Sequence, residues 1–114
     1  MRGIISAAVL ASAATPATAQ DLNGFQAIST GDLTRAEQEL TVQRRDFPAR
    51  PELMLNLAHV FAKTDRQDQA RVLYREVLAR RDVAMDLADG TVVRSHVLAE
   101  LGLTRLGGTT LAVR

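Results

Sequence analysis

Apolar side chains recur along this chain in short bursts at helical spacing, separated by turn residues. In "DLNGFQAIS" the residues Leu22, Phe25, Ala27 and Ile28 put three apolar groups on one face, which predicts a short helix from Asp21 to Ser29. Thr30-Gly31-Asp32 ends it, because Gly accepts the left-handed conformation that closes a helix and Asp can cap the next one. A second helix is predicted from Leu33 to Arg45, burying Leu33, Ala36, Leu40 and Val42. Pro48 stops it, since proline lacks an amide hydrogen and disfavours helix in the residue before it. Pro51 suits the first turn of a third helix, where Leu53, Met54, Leu57, Ala58, Val60 and Phe61 form a broad stripe as far as Lys63. After a turn at Thr64-Asp65-Arg66, a fourth helix from Gln67 to Arg80 presents Ala70, Leu73, Tyr74, Val77 and Leu78. The pattern is two helical hairpins in succession.

The period then changes. "DVAMDLADGTVV" alternates through Val83, Met85 and Leu87, with Asp89-Gly90 as a turn before Val92 and Val93, which is the signal of a short β-hairpin over about 83–93. A plain helix-to-helix linker fits the same residues equally well. From Ser95, read as a cap, "SHVLAELGLTRL" predicts a helix with Val97, Leu98, Leu101, Leu103 and Leu106 toward the core, covering the end of the second hairpin. Residues 107–114 read as a frayed, flexible tail.

Sliding the chain by 34 residues aligns Gly24 with Ala58, Ala36 with Ala70 and Leu40 with Tyr74, and brings the turn at Gly31-Asp32 onto Asp65-Arg66. A helix-turn-helix period of this length resembles the tetratricopeptide repeat. In "LMLNLAHVFAKTDRQDQARVLYREVL", Ala58 stands where that family has a small residue at a close helix crossing. Phe61 is the aromatic three residues on, and Ala70 and Tyr74 are the small and aromatic residues of the second helix. The earlier copy keeps Gly24, Gly31, Ala36 and a closing Pro48, but Ala27 and Leu40 replace the aromatics; the later copy has Asp82 where the closing proline would fall. The expected fold is all-α: two tetratricopeptide-like hairpins, about 20–50 and 51–81, then a linker or hairpin with a capping helix over 82–106. A repeat buries its apolar face only against a neighbour, so two hairpins and one cap are close to the minimum, and self-association would supply any missing surface.

Composition changes this picture mainly at the start. "MRGIISAAVLASAATPATAQ" opens with Arg2, runs apolar from Gly3 to about Ala14 and ends in Ala17-Thr18-Ala19, the order a signal peptidase reads. Cleavage after Ala19 is expected, leaving an exported chain, periplasmic or secreted, with no membrane insertion, because the apolar run is shorter than the ~20 residues that span a bilayer. Without Arg2 the fourteen basic and thirteen acidic residues become thirteen of each. That balance offers no long-range attraction for nucleic acid or anionic lipid. The absence of cysteine removes disulfides and thiolate metal sites.

Chemistry-bearing residues are sparse, with no glycine-rich phosphate loop and no serine nucleophile elbow in the sequence. His59 reads as a helix-groove histidine. His96 and Glu100 share a helical face but have no third ligand in sight, and Asp86 and Asp89 fall in a turn where carboxylates are solvated. Arg44-Arg45 and Arg80-Arg81 each close a second helix and complement its negative end. No enzyme activity, metal or cofactor is expected. What the resemblance implies is a noncatalytic protein-binding module. The first helices would line a groove for a peptide or a helix of another protein, formed by Leu55, Asn56, His59, Ala62 and Lys63 with Phe25, Ile28 and Ser29. In that family an asparagine often bonds the backbone of the bound segment, and Asn56 holds that position here. Leu22 occupies the equivalent place in the first copy, so a two-asparagine clamp is not expected. The alternative function is a structural or self-assembling component, with the chain as a homo-oligomer.

Overall fold

A computed structural model describes residues 24–113, with side chains through Gly107. The expected leader, and residues 21–23 of the first helix, lie outside the described residues. In order along the chain come α1 (Phe25–Ser29), α2 (Leu33–Asp46), α3 (Pro51–Lys63), α4 (Gln67–Ala79), β1 (Ala84–Asp86), β2 (Val92–Arg94) and α5 (Ser95–Val113). The chain is mostly helical, as the apolar spacing predicts, with one small antiparallel sheet added. Local signals account for the boundaries. Asp32 accepts a hydrogen bond from the Arg35 amide at the start of α2, and Pro51 occupies the first turn of α3.

The two helix-to-helix turns share their closing hydrogen bonds at a spacing of 34 residues. The amide of Asp32 donates to the Ala27 carbonyl at 2.9 Å, and that of Arg66 to the Phe61 carbonyl at 2.9 Å. The Thr30 hydroxyl donates to the Gln26 and Ala27 carbonyls, and the Thr64 hydroxyl to those of Val60 and Phe61. Both turns are closed by a residue in the left-handed region, Gly31 at φ 82° and Asp65 at φ 62°. This is the 6→1 closure of a helix end, which needs positive φ at one position. Glycine takes that conformation freely, whereas a side chain costs about 1–2 kcal/mol there, reduced for Asp. Asp65→Gly is therefore expected to stabilise the protein by about 0.5 kcal/mol after allowance for the greater freedom of glycine in the unfolded chain. Gly31→Ala should move stability the other way, and urea titrations of both variants check the opposite signs.

Of the two readings of 83–93, the strand pair is the one formed. Met85 faces Val93, Ala84 faces Arg94 and Asp86 faces Val92. Met85 turns inward and is buried, while its neighbours Ala84 and Asp86 are exposed, as alternation requires. Gly90, at φ 90°, and the Asp89 carboxylate make the turn; the carboxylate accepts from the Thr91 amide at 3.0 Å and hydroxyl at 2.7 Å. At the base of the hairpin, Val83 and Ser95 exchange hydrogen bonds. The Ser95 amide donates to the Val83 carbonyl at 2.7 Å, and the Ser95 hydroxyl oxygen accepts from the Val83 amide at 2.9 Å.

The core joins α1 through α5 in sequence. Each helix packs chiefly on the next, α3 also meets α5, and α3 with α4 forms the most extensive contact. Ala27, Ala36, Leu40, Leu53, Met54, Ala58, Val60, Ala70, Val77 and Ala99 are all but inaccessible. Small residues sit where large ones approach. A Cβ added to Gly24 would lie 2.9 Å from Cγ of Leu40, and one on Gly102 would overlap the Tyr74 ring. Between the hairpins, the Arg66 guanidinium grips both oxygens of Glu37 at 2.9 and 2.5 Å, donates to the Thr64 hydroxyl and lies 4.7 Å over the Phe61 ring. Glu37 holds its proton less tightly as a result, chiefly through that bidentate bond.

Three expectations from the apolar pattern are corrected. Val42 is 54 % exposed, because Ala36 and Leu40 define the buried face of α2 and a position two residues beyond Leu40 turns away from it. Val97 and Leu101 are also half exposed, at 45 % and 47 %; the inward face of α5 is set by Ala99, Gly102 and Leu106. The stretch read as a frayed tail from 107 continues α5 as far as Val113.

Candidate functional site

Along α3, Glu52, Asn56, His59 and Lys63 follow one another at spacings of four, three and four residues, which places them on one edge of the helix. The first three are half buried and Lys63 is exposed. The opposite side of α3 carries the buried Met54 and Ala58, with Leu53, Leu57 and Val60 buried along the flank, so packing fixes the helix and leaves this polar edge presented.

At the N-terminal end of the edge lies a recess of about 120 Å³, lined by Phe25 of α1, Glu52, Leu55 and Asn56 of α3, residues 85–88 of the hairpin, and Leu98 of α5. Phe25, Leu55 and Asn56, expected from the sequence to share a groove, are brought together here. Leu55 contributes from a nearly buried position, and Phe25 is 44 % exposed. Ile28 and Ser29 stand apart from the recess: Ile28 packs against the core, and the Ser29 hydroxyl donates to the Phe25 carbonyl at 2.8 Å. Ala62 likewise packs against the core.

His59 and Lys63 lie farther along the same edge, outside the recess. There Arg105 of α5 joins them, and the three basic groups define the other end. Burial, then the charges of Lys63 and Arg105, push the His59 imidazole below its ordinary pKa of 6.5 and keep it neutral at pH 7. The site therefore runs from carboxylates, Glu52 and Asp86, through an apolar recess, to a neutral imidazole flanked by two cations. It has hydrogen-bonding and charge-pairing groups arrayed over a length of helix.

The remaining candidates have structural uses. His96 Nε2 donates to the Arg80 carbonyl at 2.7 Å, binding the end of α4 to the start of α5, and Glu100 is exposed. Among the described residues no three His, Asp or Glu side chains come together in a metal-binding group. Asp89 is held in its turn, whereas Asp86 lines the recess. From the two arginine pairs, Arg44 and Arg80 both reach Glu76, at 3.7 and 3.1 Å.

Ser95 has a different role from the one its position predicts. Its hydroxyl is turned to Val83 and Asp82, and the first-turn amide of His96 is met by the Asp82 carboxylate at 3.0 Å. Arg94 Nε donates to the same carboxylate at 3.1 Å. The His96 amide, followed by Arg94, holds Asp82 below the ordinary carboxylate value of 3.8. A carboxylate whose folded pKa is depressed adds stability above its unfolded pKa, and that stability is lost as pH falls through the folded value. Asp82→Asn should therefore lower the melting temperature at pH 7 and make the loss of stability below about pH 4 shallower. Equal acid slopes for the variant and the parent in melting curves would refute this role.

Glu52, Asp86, Leu87, Leu98 and Arg105 belong to the site; the sequence reading set Asp86 in a solvated turn, Leu87 in a strand and Leu98 in the core, and singled out neither Glu52 nor Arg105. Glu52 was discoverable, one turn before Asn56 on the same edge. The others arrive from elements whose placement depends on how the hairpin folds back. No family model matches this chain, and neither does any curated protein or solved structure. Among the described residues no helix is long and apolar enough to cross a membrane.

Proposed function

We propose that this protein is a noncatalytic protein-binding module, a small exported relative of the tetratricopeptide repeat proteins, which holds a peptide or helix of a partner along the exposed edge of α3. The observation that carries this reading is the recurrence of the same turn closure, one backbone 6→1 bond, a threonine hydroxyl bonded to the end of the helix and a residue at positive φ, at the 34-residue spacing of that repeat. In such an arrangement α1, α3 and α5 form the groove layer and α2 and α4 the outer one. The contact of α3 with α5 and the ion pair from Arg44 of α2 to Glu76 of α4 support that layering. Export rests on the residues that precede Gln20 and would place the binding event in the periplasm or outside the cell.

Site-specific photo-crosslinking in cells tests it. A photoreactive residue at His59 should give discrete protein adducts, whereas one at the exposed Arg75 of α4 should not. Adducts of the same proteins from both positions, or from neither, would count decisively against binding at this edge. A second reading, self-assembly, draws on Val97 and Leu101, half exposed four residues apart on α5. It requires a concentration-dependent rise in mass by sedimentation that Leu101→Glu abolishes; a monomer at all concentrations would dismiss it.

A further inference from the structure

Resting on the groove reading above, we infer that the α3 edge selects a charge-polarised peptide segment: a cationic residue beside Glu52 and Asp86, an aliphatic side chain in the recess, and a carboxylate beside Lys63. The order follows from the site's own chemistry. Glu52 and Asp86 line the same recess, so two carboxylates are available there to a cationic side chain. The recess is lined by Leu55 and Leu98, and its volume of about 120 Å³ gives room for one medium aliphatic side chain and too little for a folded element. At the other end the half-buried His59 stands one helical turn before the exposed Lys63 and offers a hydrogen bond beside that cation.

Helix geometry sets the spacing. From Asn56 to Lys63 is a rise of about 10 Å at 1.5 Å per residue, which an extended chain covers in about three residues at 3.3 Å each. The segment therefore reads base, aliphatic, two residues of any type, then acid. Complementary charges at both ends fix direction as well as identity, because the reversed peptide sets like charges against each other. Asn56, which lines the recess, adds an amide group beside the aliphatic position.

Selection from a random heptapeptide display library on the purified full chain tests this, repeated on Lys63→Glu and Asp86→Lys. Both substitutions fall at exposed positions, and circular dichroism checks that each variant keeps its helical content. The parent should enrich Lys or Arg next to an aliphatic residue, with Asp or Glu about three residues beyond it. Lys63→Glu should exchange the acid for a base at that position, and Asp86→Lys should exchange the base for an acid. The parent's best peptide should bind either variant about tenfold more weakly. Enrichment of peptides without this polarity, or the same peptides from all three proteins, overturns the inference while leaving a groove in place. No enrichment on any of them overturns the groove reading itself.

Discussion

Gly102→Ala is expected to destabilise the protein although alanine is the better helix former. In an open helix the exchange gains about 1 kcal/mol. Here the added methyl group overlaps the Tyr74 ring, which is 7 % exposed and has nowhere to retreat. Overpacking of this kind costs about 1–3 kcal/mol, and an overlap of three ring atoms falls at or beyond the upper end. The net loss should be about 2 kcal/mol or more, and each kcal/mol lowers the melting temperature of a domain this size by about 4–8 °C. Gly107 provides the comparison on the same helix. A Cβ there meets nothing within 4 Å, so Gly107→Ala should gain stability from propensity alone. Tyr74→Leu combined with Gly102→Ala should recover most of the loss. If Gly102→Ala and Gly107→Ala melt alike, the close crossing of α4 and α5 is not as described.

Leu40→Ala carries the largest expected cost, about 2–5 kcal/mol. Leu40 is fully buried, and the bare Cα of Gly24 approaches its side chain. Truncation leaves a cavity under α1, a helix of five residues. A segment this short has no stability of its own, so it is held only by what it touches, and its main contact is α2. Urea titration should show a lower midpoint, and a smaller m-value as α1 detaches before the rest unfolds. Leu40→Met keeps the volume and should cost less than about 1.5 kcal/mol. A Leu40→Ala midpoint within error of the parent would exclude this account of how α1 is anchored.

The parts of the fold that were legible in the sequence are those set by local signals. Gly31, Pro48 and Pro51 act on their own neighbours, so α2 and α3 begin where expected and end within a residue or so. Val83, Met85 and Leu87 alternate clearly enough to make a hairpin one of two readings, but the choice between them was made by Ser95, twelve residues away, through its paired bonds to Val83. Gly102 was silent for a similar reason: a glycine inside a helix explains itself only once the side chain packed on it is known. With Gly102 placed, a further alignment becomes visible. Met54, Leu57 and Ala58 correspond to Leu98, Leu101 and Gly102 at an offset of 44 residues, the repeat spacing lengthened by a hairpin. In the site, Phe25, Leu55 and Asn56 line one recess, whereas Asp86 and Arg105 come from beyond residue 81 and follow no period in the chain before it.

The paired bonds at the base of the hairpin also bear on how the chain assembles. Because Val83 and Ser95 are joined directly, the strands between them form a closed side loop, and the path from α4 to α5 runs through Arg80, Arg81, Asp82 and Val83 before it steps across to Ser95. Once the strands have zipped, α5 reaches α4 across a connection no longer than those between the other helices. The entropy of closing the extra residues is lost within the hairpin, on the microsecond timescale of strand pairing, and not in docking α5. In effect the chain keeps the low contact order of an array of helical hairpins, and its folding rate belongs with theirs despite the sheet it carries.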